Sequence, residues 1–171
     1  MTLKEVIAKT SHIVGNNTCG EETIGIIYNL AQELPKGAKI VEIGTMFGRS
    51  SAVWALSCES SQVYTIDKYD RRFIVDANLA WAKIGNVKLL LGDSKIIPWT
   101  ERVDCVFIDG SHEYQDVLAD IKRWDKFTTK IICGHDYFPT QFPDVVKAVD
   151  EYFGDKKQLI GNVNKIWIMR K

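Results

Sequence analysis

Five apolar runs of strand length recur along the chain, at Lys39–Ile43, Gln62–Ile66, Val87–Leu91, Val103–Ile108 and Lys130–Cys133. They are mostly continuous rather than alternating, as strands buried on both faces of a parallel sheet should be. Segments with apolar residues at helical spacing separate most of them. Glu21–Leu34 lines up Ile24, Ile27, Tyr28, Ala31 and Leu34, and Pro35-Lys36-Gly37 stops it. Ser50–Cys58 is short and rich in small residues, and Arg71–Ile84 carries Phe73, Ala77, Ala80, Trp81 and Ile84. Glu113–Phe127 carries Val117, Leu118, Ile121 and Trp124, and Pro143–Phe153 carries Val145, Val146, Val149 and Phe153, with Pro143 suited to a first turn. Trp54, Trp81 and Trp124 fall on these stripes and are expected in the core.

Strand and helix therefore alternate, which predicts an α/β domain with a parallel sheet and right-handed crossovers. Leu91–Val103 breaks the rhythm; it holds Pro98 and reads as a loop or a short turn of helix. At the C-terminus, Gln158–Ile160 and Lys165–Met169 flank Gly161-Asn162-Val163-Asn164 and read as an antiparallel hairpin. With 171 residues the expectation is a single domain, a helical extension over 1–36 followed by a core over 37–171.

Composition narrows the function. Basic and acidic residues balance, 22 against 22, and the basic ones are scattered, so no net field draws the chain to nucleic acid or an anionic membrane. Cys19, Cys58, Cys105 and Cys133 are widely spaced with no C-x-x-C pair, and read as free thiols in a reducing compartment. No leader-like apolar stretch opens the chain and no run reaches membrane-spanning length, so a cytoplasmic protein is expected.

In an open α/β sheet, ligands bind beyond the carboxyl ends of the strands. Here every such end carries a carboxylate, glycine or imidazole: Glu42, Gly44 and Gly48; Asp67 and Lys68; Gly92, Asp93 and Ser94; Asp109, Gly110, Ser111 and His112; Gly134, His135 and Asp136. Asp67 follows the glycine turn by about 20 residues, the spacing of a ribose-binding acid. Asp93-Ser94 suits either an adenine contact or a helix cap. The glycine motif is E-x-G-x-x-x-G, without the third glycine that brings a pyrophosphate close to the backbone. A nucleoside without phosphates fits better, so a nicotinamide-dependent oxidoreductase ranks second. A non-catalytic module binding a nucleoside or a partner protein is a further alternative.

These motifs resemble class I S-adenosylmethionine-dependent methyltransferases. Val41-Glu42-Ile43-Gly44 with Gly48 is similar to their first motif, Asp67 to their ribose acid, and Leu91-Gly92-Asp93-Ser94 to their adenine-side motif. Phe107-Ile108-Asp109-Gly110-Ser111-His112-Glu113-Tyr114, then Val117, Asp120 and Trp124, resembles a branch with an I-D-G-x-H-x-Y signature and a later H-D-Y, here His135-Asp136-Tyr137. That branch is related to small-molecule O-methyltransferases of the catechol and macrolide-sugar type. The resemblance implies a Rossmann-like, doubly wound sheet of about seven strands with only the last antiparallel. It implies methyl transfer from S-adenosylmethionine to a hydroxyl of a small molecule or glycan. The implied cofactor-binding residues are Glu42, Gly44, Thr45, Gly48, Ser50, Ser51, Asp67, Lys68, Gly92, Asp93, Ser94, Asp109, Gly110 and His112.

A hydroxyl acceptor must lose a proton, so a base or a metal must assist. The candidates are Asp109, His112, His135 and Asp136; His112 could instead hydrogen-bond backbone or cofactor. In metal-dependent relatives a magnesium ion would lie on Asp109 and Asp136, but Tyr137 stands where a further Asn or Asp ligand usually follows. Met46, Phe47, Trp99, Tyr114, Tyr137 and Phe138 are placed near loops where some could hold a planar or sugar-like acceptor. The chain is short for this branch, which leaves the acceptor site open or completed by a second subunit of a homodimer.

Overall fold

A computed structural model describes residues 1–14, 19–162 and 165–171. Seven strands form one sheet in the order β3-β2-β1-β4-β5-β7-β6. They are β1 (Lys39–Ile43), β2 (Gln62–Asp67), β3 (Val87–Leu91), β4 (Val103–Ile108), β5 (Thr128–Gly134), β6 (Gln158–Ile160) and β7 (Ile166–Arg170). The pairs among β1 to β5 are parallel. β7 runs antiparallel to both β5 and β6, so β7 alone opposes the sheet's common direction. The hairpin is formed, although Val163 and Asn164 of its expected turn lie outside the described residues.

Helices α1 (Leu3–Thr10), α2 (Glu21–Gln32), α3 (Arg49–Ser57) and α4 (Arg72–Trp81) share an apolar core with one sheet face. Helices α5 (Tyr114–Trp124) and α6 (Pro143–Phe153) share another with the opposite face. Strand residues alternate between the two: Ile40 and Cys105 face α3, whereas Val41 and Val106 face α5. Two apolar layers explain why the strands read as continuous apolar runs. α1 starts with a capping box, in which the Thr2 hydroxyl accepts from Glu5 N–H and the Glu5 carboxylate accepts from Thr2 N–H. Between β3 and β4, one turn closes through Ile97 N–H donating to the Asp93 carbonyl (2.8 Å), and the rest is loop. Cys58, Cys105 and Cys133 are buried, and all four thiols are free. Among the described residues no helix is long and apolar enough to cross a membrane.

Three tryptophans were expected inside. Trp54 and Trp124 are fully buried, but Trp81 is 77% exposed. The face of α4 that enters the core is instead Val75 and Leu79, continued by Ala82 just past its end, which puts Phe73 and Trp81 outside. Trp99, expected beside the site, packs against Tyr64 and Trp124 with ring centroids 5.1 and 5.5 Å away, and its indole N–H donates to the Glu101 carbonyl.

Candidate active site

Strand register builds the site. Ile43 of β1 pairs with Ile66 of β2 and Ile108 of β4, and Ile108 pairs with Gly134 of β5. The residues that follow, Gly44, Asp67, Asp109 and His135, therefore emerge together on one edge. The strand order reverses between β1 and β4, the switch point where such sheets open a crevice. Gly44 is required there: at φ +94°, a Cβ would lie 2.1 Å from the Asp109 carbonyl oxygen.

Two cavities flank this junction and share Gly44, Met46, Asp109 and Gly110. The first, about 300 Å³, is reached by Asp67, Lys68, Gly92, Asp93 and Ser94 from the ends of β2 and β3. Asp67 accepts hydrogen bonds from the backbone N–H of Thr45 (3.2 Å), Met46 (3.3 Å) and Tyr69 (2.9 Å), and Arg71 stands 3.7 Å away. These contacts tie the β2 end to the glycine turn. Lys95 bridges Asp116 (2.8 Å) and Asp93 (3.5 Å), and the Ser94 hydroxyl donates to buried Asp120 (2.6 Å). Burial raises the Asp120 carboxyl to about 6, against the lowering effect of that hydroxyl.

The second cavity, about 450 Å³, is lined by Thr45, Phe47, Arg49, Ser50, His112, His135, Asp136 and Phe142, with Cys19, Gly20 and Thr23 from the N-terminal segment. Its chemistry centres on Asp136, whose two oxygens each meet an imidazole: His112 Nε2 and His135 Nδ1, both at 2.8 Å. A carboxylate can only accept, so each of those nitrogens carries its proton. His135 Nε2 then meets the Thr23 hydroxyl at 3.2 Å. The His112 ring stacks on Phe142, centroids 4.3 Å apart. Asp136 itself is in the left-handed region, φ +59°, which an Asp tolerates better than most residues.

Electrostatics follow from this packing. Burial alone would raise Asp136, but its two imidazole partners hold it well below the usual carboxylate range. Burial pushes Asp109 up, helped by the Asp136 charge and opposed by the histidines. The Asp136 hydrogen bond raises His112; in His135, burial pulls down and Asp136 and Asp109 more than offset it.

Of the residues expected to hold a cofactor, Gly44, Thr45, Ser50, Asp67, Lys68, Gly92, Asp93, Ser94, Asp109, Gly110 and His112 line one cavity or both. Glu42, Gly48 and Ser51 line neither. Glu42 lies beneath the floor, fully buried, where its Oε2 accepts from Thr65 (2.7 Å) and from Ser51 of α3. Burial raises its carboxyl to about 7, against the lowering effect of the Ser50, Ser51 and Thr65 hydroxyls, and its Oε1 makes no hydrogen bond of good geometry among the described residues. Its place is structural: it anchors α3 under the glycine turn. Ser51 is buried with it, and Gly48 caps α3 at φ +82°. Sequence reasoning missed Arg49, Thr23 and Phe142, none of which sits at a strand end. Met46 and Phe47 line the cavities as anticipated, but Trp99, Tyr114, Tyr137 and Phe138 do not. Tyr137 is turned inward, its hydroxyl donating to Asp150 at 2.7 Å.

Asp109, His135 and Asp136 are the one group among the described residues whose ligand atoms cluster within 4.8 Å, as a metal would need. Two carboxylates and an imidazole depart from the oxygen shell that magnesium prefers. Both Asp136 oxygens are also committed to histidines. The residues present fit a magnesium ion poorly.

A seven-stranded sheet with one reversed strand, and a nucleoside-sized cavity opening beside an acid–imidazole cluster, define the class I methyltransferase fold. Residues 41–137 match the methyltransferase-domain family, and the chain belongs to it. An uncharacterized protein of Acanthamoeba polyphaga mimivirus is 27% identical over 146 residues, covering 76% of this chain and 66% of that protein, just under two thirds. A SAM-dependent O-methyltransferase from Thermotoga maritima superposes with a TM-score of 0.78 at 13% identity, over 97% of this chain and 71% of its own. An O-methyltransferase from Bacillus cereus, solved with SAH, gives 0.73 at 19% identity, over 99% and 90%. An rRNA methylase from Streptococcus thermophilus gives 0.69 at 15%, over 92% and 99%. At such identities the structural likeness concerns the fold.

Proposed function

We propose that this protein transfers a methyl group from S-adenosylmethionine to a hydroxyl of a small molecule or sugar. The observation that carries the reading is the junction at Gly44 and Asp109, where the cavity holding Asp67 meets the cavity holding the His112–Asp136–His135 cluster. The donor set fits the cofactor. Asp67 would accept from the ribose hydroxyls, and Asp93 and Ser94, which line the same cavity, would hold the adenine side. Arg49 opens α3 in the second cavity and makes no ion pair among the described residues, so its guanidinium suits the carboxylate of the amino-acid end. When bound, S-adenosylmethionine supplies an electrophilic methyl group.

The chain's own part is to position the acceptor and accept its proton. His112 is the better base. With Nε2 donating to Asp136 and the ring held on Phe142, Nδ1 has no partner among the described residues and is placed to take a proton. His135 has its second nitrogen occupied by Thr23 and serves with Asp136 to orient His112. Phe47 and Phe142 offer apolar faces to a planar ring or a sugar. The volume suits a small acceptor.

Calorimetry with S-adenosylhomocysteine and methyl-transfer assays on a panel of hydroxyl compounds test the reading. Binding together with turnover that His112→Ala abolishes is the expected result. A folded sample that binds neither S-adenosylmethionine nor S-adenosylhomocysteine would refute it, and binding without any turnover would favour a non-catalytic role.

A further inference from the structure

Helix α4 is apolar on two faces. Val75, Leu79 and Ala82 enter the core. On the opposite side Phe73 is 90% and Trp81 77% exposed, Ala77 and Ala80 lie exposed between them, and Ile74 is exposed at the margin. A helix with apolar residues on both sides is normally covered on both sides. The inner face is covered by this chain; among the described residues the outer face meets the His12 ring, tilted 5.9 Å from Trp81, whose Nε2 lies 3.1 Å from the Asn78 carbonyl oxygen at the same end.

The spacing of the outer face is self-complementary. In an antiparallel pair of identical helices with a two-fold axis at residue 77, positions whose numbers are equally far from 77 meet. Phe73 then faces Trp81 of the second copy, Ile74 faces Ala80, and Ala77 meets Ala77. Aromatic pairs flank a centre of small side chains that lets the helices approach closely. At about 200 Å² per aromatic side chain, Phe73 and Trp81 alone offer roughly 330 Å², some two fifths of the ~800 Å² each partner contributes to a stable dimer. Ile74 and the two alanines extend that area. Charged residues on the helix, Arg72 and Asp76, flank the stripe rather than interrupt it.

We propose that the outer face of α4 is the contact surface of a symmetric homodimer, packed antiparallel on its own copy about an axis at Ala77. This rests on the helix alone and is independent of the activity proposed above. An isologous contact of this kind closes at two copies.

Sedimentation velocity at tens of micromolar, with and without Phe73→Asp, tests the proposal. The parent should sediment at twice the chain mass and Phe73→Asp at one chain mass, with an unchanged circular dichroism spectrum because the side chain touches little of its own fold. Under mild oxidation Ala77→Cys should form a covalent dimer on a non-reducing gel, since only a residue at the axis meets itself. Lys122→Cys, on α5 across the sheet, should not. A monomeric parent, or a dimer that survives Phe73→Asp and yields no Ala77→Cys bridge, would overturn the assignment.

Discussion

Glu42 offers a quantitative test of how the glycine turn is supported. Its carboxyl is enclosed beneath the cavities and rises from 4.5 to about 7, chiefly through burial and against the hydrogen bonds from neighbouring hydroxyls. A carboxyl that holds its proton more tightly when folded contributes stability that is fully present below 4.5 and lost as pH rises to about 7. Each tenfold change in proton affinity is worth about 1.4 kcal/mol, so the loss amounts to roughly 3 kcal/mol. Glu42→Gln keeps the shape and an oxygen to accept from Ser51 and Thr65. Its amide nitrogen replaces Oε1, which makes no hydrogen bond of good geometry among the described residues, at a cost that does not depend on pH. The informative quantity is therefore the difference between variant and parent, followed by thermal melts between pH 4 and pH 8. Every other titrating group cancels in that difference to first order. It should move in favour of the variant by about 3 kcal/mol as pH rises, or about 6–12 °C in Tm for a chain of this size. A difference that stays flat across this range would refute the claim that Glu42 folds as a buried, easily protonated acid.

Three further outcomes are expected. Asp67→Ala should weaken S-adenosylhomocysteine binding by about 1–3 kcal/mol in calorimetry, because it removes a charged acceptor and loosens the Thr45–Met46 turn. Asp136→Asn should lower kcat by about 100-fold or more while changing that affinity little, since it unsettles both imidazoles without removing a nucleoside contact; an unchanged kcat would remove the cluster from the mechanism. Gly44→Ala should lower Tm by several degrees, from left-handed strain and the 2.1 Å clash with the Asp109 carbonyl, whereas Gly85→Ala, with open space around it, should leave Tm near the parent value.

Much of the fold is legible because its strands lie between two apolar layers, and apolar runs such as Cys105–Ile108 betray that burial directly. The site was legible for a related reason: in a parallel sheet every strand delivers its next residue to one edge, so listing strand ends found Asp67, Asp109, His112, His135 and Asp136 together. What escaped came from elsewhere in the chain. Thr23 and Phe142 reach the second cavity from α2 and the segment before α6, and no local pattern marks them. For Glu42, strand-end position does not reveal whether a side chain points up to the crevice or down into the core, and the carboxyl lies buried beneath the cavities. In α4, periodicity marks the stripe through Phe73 and Trp81 as a face without saying what covers it, and that face lies outside.

The reversed strand also dictates an order of assembly. β7 lies between β5 and β6, although β6 precedes it in the chain. As the polypeptide leaves the ribosome, β6 has no place to pair and β5 presents a bare edge until Ile166–Arg170 arrives. Trp167 then closes over Gly134, where only glycine leaves room for its indole, next to His135. Nascent chains halted before β7 should therefore be prone to sticking to one another. The imidazole cluster would be among the last parts of the molecule to take its final shape.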